Sequence, residues 1–556
     1  MPKDYNLTTE LHPSKNAFDL SHNHFCTLKM GGLYPVCWHE CLPGDIFTLD
    51  FQALVRVQPM IAPIMNNLTV DLHAFFVPTR LLWNKWEDFI TTIEQDSIPP
   101  KNFEGTPPVW TETENGNIVD IDTSAHSLWD MFGFSRIFNQ KAPKEKRPVD
   151  FLRRAYILIY NHWFRDENLQ EPIDFRTNQM QHVLPRAWRK DYLTAGFVSR
   201  QKGTASSIPL TGTGSAVWSA PFTEALDSSN VYLELYKGVA GNVNSSNTVY
   251  MQVDNVNGLK QQHLYSANRD SNQITANVHH GAANRQSFLD YLNSNSFDLS
   301  QVGTFTVNDL RDMFQIQKFL ELLMRAGSRY IEFLQSQWGV SPSDARLQIP
   351  ERIGGSSFNI QISEVVSTAE TELSNNRTNI QGNQTGHGLS VASGHCGNYK
   401  CEEFGYIMIL ANIQPPAVYV DRMPRSMFRK SLLEQVNPHF VNLGYQSVLK
   451  REVYADGSDE DEDIFNYQGR YDECREELSY ISGDFYDLLD YYLNFRRFDN
   501  RPAYNSDFIE VKEDNHIFQV QDEPPFLCNF YFNHKVLRPL PLFNQPGLID
   551  HVYGGL

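Results

Sequence analysis

Alternating apolar and polar residues predict strands in two groups, one towards each end of the chain. The first group lies within residues 18–80, in segments such as FDLSHNHFCTLKM and IFTLDFQALVRV. The second group follows residue 351 and contains SFNIQISEVV, EFGYIMILANI, YQSVLKREVY, DFIEVKE and HIFQVQ. Greek-key and jelly-roll folds join strands from opposite ends of a chain, so this pattern predicts a single antiparallel sandwich.

Three other segments have apolar residues at the three-and-four spacing of helices. They are WNKWEDFI, PVDFLRRAYILIYNHWFRDEN and TVNDLRDMFQIQKFLELLMRAGSRYIEFLQSQWG. Pro148 stands early in the second segment, where a helix tolerates proline. In the third, Thr306 and Asp309 resemble a capping box, and Gly339 is the expected end of a long helix.

Residues 201–300 differ in composition, with 12 Asn and 14 Ser among 100 positions. Such a polar insertion offers too little apolar surface to offset its own ordering, which predicts an exposed projection. Within it, NTVYMQV has the alternation of one strand of a hairpin.

The last segment, PPFLCNFYFNHKVLRPLPLFNQPGLIDHVYGGL, combines a strand with an extended arm. Aromatic residues alternate from Phe526 to Phe532, whereas Pro539, Pro541 and Pro546 exclude a helix or a central strand. An apolar arm from Val536 to Leu548 needs a surface to tie it down. We therefore predict that the arm lies across a neighbouring molecule of an assembly.

Charge and cysteine content narrow the possible functions. The net charge is −19, from 66 acidic and 47 basic residues, so the chain lacks the basic footprint of a protein that binds nucleic acid unaided. A separate cationic partner would have to neutralise any nucleic acid. Seven scattered cysteines favour a reducing compartment over a disulfide framework. No segment predicts a signal peptide or a membrane span.

Five blocks resemble, in the same order, the major capsid proteins of the Microviridae, with the gokushovirus-like branch as the nearest match. These are small tailless phages with single-stranded DNA. The most specific block is WGVSPSDARLQIPERIGGSSFNIQISEVVSTAET, residues 338–371. The others are FDLSHNHFCTLKMGGLYPV with LPGDIF, PMIAPIMNNLTVDLHAFFVPTRLLWNKWEDFI, MPRSMFRKSLLEQVNPHFVNLGYQSV and RPLPLFNQPGLIDHVYG. Departures lie mostly in residues 201–300 and near residue 460.

The resemblance implies a mainly β fold, an eight-stranded antiparallel viral jelly roll with long inserted loops and several α-helices. It implies one domain with insertions: N-terminal jelly-roll strands, a helical insertion, a polar surface protrusion, a long helix, and C-terminal jelly-roll strands with the arm. The corresponding residues are 1–125, 126–200, 201–300, 301–345 and 346–556. It also implies a structural function, in which sixty copies build a T=1 icosahedral shell around a circular single-stranded DNA genome, with protrusions at the threefold axes.

Partners and location are implied in the same way. The expected partners are further copies of the chain (as pentamers and then the shell), a small basic DNA-binding protein, the DNA at the inner wall, and a host surface receptor contacted by the protrusion. The expected location is the virion, assembled in the cytoplasm of a bacterial host, without membrane insertion.

Two groups of potential zinc ligands occupy alternate positions of predicted strands. They are His22, His24 and Cys26, and Cys37, His39 and Cys41. Each group would face one side of its strand, and zinc prefers nitrogen and sulfur ligands. The spacings match no standard zinc motif, and buried cysteines often act as small apolar residues. We therefore predict no metal and no cofactor; a zinc site would require tetrahedral convergence of the two strands.

Two further clusters carry weaker signals. His395, Cys396 and Cys401 lie in a glycine-rich segment that reads as a loop, where the thiols need not meet. The glycine near the acidic run is misplaced for an EF-hand, so a solvated charged loop is expected there. The run consists of Asp456, Asp459, Glu460, Asp461, Glu462 and Asp463.

Two basic clusters could contact nucleic acid or acidic residues. The first is Arg422, Arg425, Arg429 and Lys430, with Met427 and Phe428 between them; the second is Arg496, Arg497 and Arg501, beside Phe495 and Phe498. Arginines with aromatic neighbours can hold phosphates or stack on bases. We favour pairing with acids across subunit interfaces, where arginine makes bidentate contacts. If the shell touches DNA directly, Arg425 and Arg497 are the expected contacts.

No catalytic residue is predicted. The chain has no GxSxG motif and no Gly-Lys dipeptide of a P-loop, and His39-Glu40 lacks the second histidine of HExxH. Two rival functions use the same architecture: a glycan-binding jelly roll, and a glycoside hydrolase with paired carboxylates that the sequence does not mark. Size separates them, because a capsid protein forms a very large particle.

Overall fold

The structure is a computed structural model that divides into two compact units, residues 1–202 with 321–556, and residues 203–320. It describes residues 15–94, 101–202, 249–256, 259–266, 278–280, 307–326, 348–368, 371–373, 377–379, 382 and 384–542.

Strands predominate throughout the described residues. They are β1 (Asn16–Asp19), β2 (His22–Leu28), β3 (Tyr34–Cys41), β4 (Ile46–Met60), β5 (Thr69–Pro78), β6 (Ile93–Glu94), β7 (Lys101–Asn102), β8 (Val249–Val256), β9 (Leu259–Ser266), β10 (Val278–His280), β11 (Glu351–Asn359), β12 (Ile362–Val366), β13 (Thr371–Leu373), β14 (Arg377–Asn379), β15 (Gln384–Lys400), β16 (Gly405–Gln414), β17 (Val418–Tyr419), β18 (Gln446–Leu449), β19 (Ile464–Gln468), β20 (Ser479–Tyr480) and β21 (Phe526–Arg538). The α-helices are α1 (Thr79–Leu82), α2 (Trp86–Thr91), α3 (Leu128–Met131), α4 (Phe151–Ile159), α5 (Val307–Ala326) and α6 (Ser506–Ile509).

The first unit is built on an antiparallel sandwich. Its six-stranded sheet has the order β1–β21–β4–β15–β12, with β2 also paired to β21. Its four-stranded sheet has the order β11–β5–β16–β3. β21 pairs antiparallel with most of β4, from Phe526 opposite Val57 to Leu537 opposite Ile46. The other edge of β21 pairs with β1, where Arg538 lies opposite Asn16.

The two sheets contain ten strands, but two pairs of consecutive strands are separated by only two residues each. β1 and β2 pair with successive halves of β21, on either side of Leu20 and Ser21. β11 and β12 flank Ile360 and Gln361, where the chain passes from one sheet to the other. If each interrupted pair is taken as one stretch, the order is first–eighth–third–sixth–fifth in one sheet and fifth–fourth–seventh–second in the other. This connectivity is consistent with a jelly roll, and the predicted mainly β, antiparallel fold class is confirmed.

Within the four-stranded sheet, β5 and β16 are buried on both faces. Phe76 and Ile407 point into the sandwich core, whereas Phe75 and Met408 pack with the apolar side of α4. Strands covered on both sides lack a polar face, which explains the nearly continuous apolar runs of β5 and β16. The six-stranded sheet instead alternates buried and partly exposed positions along β4.

The predicted helices are found, with shorter bounds. α2 and α4 confirm the first two, and α4 continues as a π-helical turn at Tyr160–Phe164. α5 confirms a helix of 20 residues in the third segment. Thr306 and Gly339, the predicted ends of that helix, lie outside the described residues.

The glycine-rich segment predicted as a loop is the long strand β15. A Cβ atom at Gly394 would lie 2.8 Å from the ring of Phe51, and one at Gly386 would lie 2.6 Å from Cα of Pro63. Glycine has a low strand propensity, but here it permits close approach of the neighbouring chain. Close packing therefore overrides the local propensity, and the loop prediction for His395 and Cys396 is wrong.

Two predicted strands of the second group are also wrong. DFIEVKE contains the single-turn helix α6, which is capped by the side chain of Asn505. HIFQVQ is a turn in which Ile517 and Phe518 are fully buried in the sandwich core, and Phe518 forms only an isolated bridge with Met60. The alternation in these segments reflects core contacts made by irregular backbone.

The predicted boundary of the C-terminal arm is wrong as well. β21 continues through Val536, which is buried, and ends at Arg538. The next residue is Pro539, which has no N–H to donate to a ladder. The predicted contact of the arm with a neighbouring molecule can therefore concern only residues after Arg538, and residues 543–556 lie outside the described part.

The second unit contains a small sheet of the order β10–β9–β8. β8 and β9 pair antiparallel from Val249 opposite Ser266 to Val256 opposite Leu259, which confirms the hairpin predicted at NTVYMQV. Among the described residues of the whole chain, no helix combines the length and the apolar character needed to cross a lipid bilayer.

Candidate interaction surface and polar clusters

An exposed apolar segment, residues 423–443, lies on the first unit. Its large apolar side chains are exposed to solvent, with Met427 at 71%, Leu432 at 77% and Leu433 at 60%. The full set is Met423, Met427, Leu432, Leu433, Val436, Val441 and Leu443. Isolated apolar residues are normal on a surface, whereas a concentration of them marks a contact site for another molecule.

Arginines fasten this segment to the body of the unit. Arg425 pairs with Glu452 at 3.1 Å and donates to the carbonyl oxygen of Ser447 at 2.5 Å. Arg429 pairs with Glu473 at 2.8 Å. From the other side, Arg470 donates to a carbonyl oxygen of the segment, that of Leu433. Since the backbone is held by polar contacts, the apolar side chains are presented outwards in fixed positions.

This arrangement bears on the interpretation of the first basic cluster. Arg425 and Arg429 pair with acids of their own chain, and their predicted pairing across a subunit interface stays a prediction. Arg422 likewise donates to the carbonyl oxygen of Leu478 in the same chain. Arg425 is also a poor DNA contact, because Glu452 and Glu473 neutralise its charge.

The second basic cluster is used in three different ways. Arg496 is buried, lies 4.2 Å from the ring centroid of Phe508, and donates to the hydroxyl of Tyr419. Arg501 is the partner of the acidic run, at 2.5 Å from Asp456 and 2.7 Å from Asp461. Arg497 stays partly exposed, 3.8 Å from Asp490, and stacks on Tyr486.

The acidic run is therefore held by internal ion pairs. Arg501 contacts Asp456, Glu460 and Asp461. The remaining acids at its end pair with the preceding turn, Glu462 with Arg451 and Asp463 with Lys450. The guanidinium of Arg501 neutralises part of the negative charge of the run. The predicted charged loop is therefore ordered by ion pairs as well as exposed to solvent.

The two zinc-ligand groups meet only in part. Cys37 Sγ lies 3.8 Å from His22 Nε2 and 3.5 Å from His39 Nε2. His534 of β21 joins them, with its Nδ1 atom 3.8 Å from Cys37 Sγ and 2.7 Å from His39 Nε2. His24 instead contacts the carbonyl oxygen of Val36. We call His22, Cys37, His39 and His534 the histidine–cysteine cluster.

The other members of the predicted groups form thiol pairs. Cys26 is opposite Cys528 in the ladder of β2 and β21. Cys41 lies beside the Cys401 thiol and donates to the carbonyl oxygen of His39 at 3.7 Å. Burial and the neighbouring Cys401 raise the pKa of Cys41 well above its usual range, and the neighbouring Cys26 and burial do the same for Cys528. All seven cysteines of the chain are described, and all are free thiols.

Sequence reasoning missed His534 and the exposed leucines. In β21 the residues Phe530, Phe532, His534 and Val536 are all buried, because they continue one alternation. Extending that alternation two residues past Phe532 would have placed His534 in the core. Leu432 and Leu433 gave a weaker signal, since apolar residues near a basic cluster are equally compatible with a buried helix.

Fold and surface together define a class of protein. A jelly roll with an exposed apolar segment held in place by ion pairs has the features of a subunit that contacts another protein molecule. Comparison with known proteins identifies the kind of assembly.

The family described as "Capsid protein (F protein)" matches residues 8–548, and the chain belongs to this family. Capsid protein VP1 of Chlamydia phage 1 is 29% identical over 602 aligned positions, which cover 96% of both chains. Capsid protein VP1 of Bdellovibrio phage phiMH2K is also 29% identical, with the same coverage. Capsid protein VP1 of Spiroplasma virus 4 is 26% identical and covers 98% of this chain and 97% of its own.

These matches confirm the resemblance to the Microviridae and the structural function. The chain is a major capsid protein that self-assembles into a viral shell, and its place is the virion. Its relatives are capsid proteins and not enzymes, which agrees with the prediction that it has no catalytic activity.

Proposed function

We propose that this capsid protein forms a sixty-copy T=1 icosahedral shell around a circular single-stranded DNA genome, by way of pentamers. The observation that carries the proposal is the exposed apolar segment, residues 423–443, because an apolar surface anchored in this way needs a further copy of the chain to cover it. Copy number and genome type follow from the family resemblance.

We propose further that the polar insertion, residues 201–300, projects outwards at the threefold axes and contacts a host surface receptor. Its Asn and Ser content supports this, and so does the division of the chain, which assigns residues 203–320 to a compact unit of their own. Assembly in the cytoplasm of a bacterial host fits seven cysteines that are all free thiols.

Electron cryomicroscopy of purified particles tests this architecture. We expect closed shells of sixty chains, with density for residues 203–320 on the outside around each threefold axis. The sandwich should form the continuous wall. Shells of a different copy number, or density for the insertion on the inner wall, would contradict the corresponding part of the proposal.

The genome contact is proposed to need a small basic partner. A chain of net charge −19 repels DNA at long range, and Arg425, Arg429 and Arg501 are already paired with acids. Arg497 remains as the local candidate for a direct contact, since it is partly exposed and lies beside the ring of Phe495.

We therefore expect purified pentamers to bind single-stranded DNA only weakly at physiological salt, and strongly once a Lys/Arg-rich protein is added. Fluorescence anisotropy across a salt series measures both affinities, because binding by phosphate neutralisation weakens as salt rises. An Arg497→Ala variant tests the local contact, because it removes one positive charge at the proposed site and leaves the rest of the chain unchanged. Tight, salt-resistant binding by pentamers alone would show that no basic partner is required.

A further inference from the structure

The histidine–cysteine cluster lies between the two sheets of the jelly roll. Cys37 and His39 belong to β3 of the four-stranded sheet, and His22 and His534 belong to β2 and β21 of the six-stranded sheet. Cys37 and His534 are buried, at 4% and 0% exposure, and His22 and His39 are partly buried. His534 thus joins three residues near the start of the chain, and ring nitrogens and a thiol from both sheets lie close together.

We propose that this cluster binds one zinc ion, with Cys37 Sγ, His39 Nε2, His534 Nδ1 and His22 Nε2 as ligands. Within the described residues, Cys37, His39 and His534 form a set whose ligand atoms all lie within 4.8 Å of one another. His22 Nε2 lies 3.8 Å from Cys37 Sγ but outside this set of three, so it would move towards His39 and His534 to become the fourth ligand.

The sulfur–nitrogen distances are close to those of tetrahedral coordination. With bonds of about 2.3 Å to sulfur and about 2.0 Å to nitrogen, a tetrahedral zinc ion holds sulfur and nitrogen ligands about 3.5 Å apart. The three sulfur–nitrogen distances of the cluster are 3.5, 3.8 and 3.8 Å. His39 Nε2 and His534 Nδ1 are 2.7 Å apart and would separate to about 3.3 Å around the ion.

Surrounding contacts orient the rings. The Nδ1 atom of His22 lies 2.9 Å from the carbonyl oxygen of Leu20, so it donates its proton there and leaves the Nε2 lone pair directed at Cys37. His39 stacks on Phe47, and His534 lies against Phe532. Such an apolar shell restricts water and favours a closed structural site.

The ligand types exclude calcium and magnesium, which take oxygen ligands, and suit zinc and copper. Zinc is proposed because closed tetrahedral sites of histidine and cysteine are typical of structural zinc. Because the ligands come from both sheets, a bound ion would join β3 to β2 and β21 across the sandwich. The inferred role is a structural brace in each subunit.

Elemental analysis of purified shells by mass spectrometry tests the proposal. We expect about one zinc per chain in the native protein, and almost none in Cys37→Ser and His22→Asn variants. His22 is only partly buried, so its variant should fold even if the change at Cys37 does not. His24→Gln is the matched control, because His24 is in the same strand and outside the cluster; its zinc content should be unchanged.

Cobalt substitution gives a second measurement. We expect a thiolate-to-cobalt charge-transfer band in native protein that is absent from Cys37→Ser, and a chelator should lower the melting temperature of the native protein alone. Native protein that retains no zinc after gel filtration with one equivalent of added zinc would overturn the proposal. Equal zinc in native and folded His22→Asn protein, without a cobalt–thiolate band, would show adventitious binding only and would overturn it too.

Discussion

A chain that ends at Lys535 will fail to form a stable sandwich, whereas a chain that ends at Leu542 will fold and remain soluble without forming shells. The first truncation removes Val536, which is buried in the core, and Arg538. Arg538 makes a bidentate pair with Asp45, at 3.2 Å from Nε to Oδ1 and 2.8 Å from Nη2 to Oδ2. Asp45 is fully buried, and an unpaired buried charge costs about 3–5 kcal/mol.

The second truncation leaves β21 intact and removes residues 543–556, which include the part of the predicted arm from residue 543 to Leu548. Urea denaturation followed by circular dichroism measures folding, and electron microscopy measures assembly. An Arg538→Ala variant of the whole chain isolates the ion pair from the loss of Val536. Equal unfolding midpoints for the two truncated chains would show that the end of β21 is dispensable, and normal shells from the chain ending at Leu542 would refute the role of the arm.

Replacing Leu432 and Leu433 together by glutamate will prevent shell formation and leave the subunit folded. Both side chains are mostly exposed in the isolated subunit, so the change removes no core contact. In a shell, burying one leucine stabilises a contact by about 1.5 kcal/mol or more, so losing two weakens each contact by about 3 kcal/mol. That corresponds to about a hundredfold in the association constant.

Sucrose-gradient sedimentation and thermal unfolding together measure this effect. Ile137→Glu is the matched control, because Ile137 is 97% exposed and lies outside the exposed apolar segment. The control should assemble normally. Particles in normal yield from the Leu432→Glu, Leu433→Glu double variant would show that residues 423–443 are not a contact surface, whereas a lowered unfolding temperature would assign the defect to folding.

The alternation of apolar and polar residues predicted most strands of the jelly roll, because every second side chain of a strand points into the sandwich core. It failed at β15, where Gly386 and Gly394 are required by contacts with Pro63 and Phe51 from distant segments. It also failed at Ile517 and Phe518, which reach the core from a turn. In both cases the decisive partner lies far away in the chain, where local patterns carry no information.

The polar clusters were predictable as residue types and not as partnerships. The sequence marks Arg425 and Arg501 as members of basic clusters, but their pairing with Glu452 and Asp456 depends on how loops cross. His22, Cys37 and His39 could be proposed from spacing alone. Their fourth companion, His534, is brought in by the pairing of β21 with β2, which joins residues about five hundred positions apart.

The position of β21 links completion of the fold to completion of synthesis. This strand lies between β4 and the edge strands β1 and β2, so β1 and β2 have no partner in the six-stranded sheet until residue 538 has left the ribosome. Contacts of such long range form late and slowly. A prematurely terminated chain therefore has an incomplete six-stranded sheet and cannot be incorporated into a shell. As a result, only chains synthesised at least through β21 can assemble.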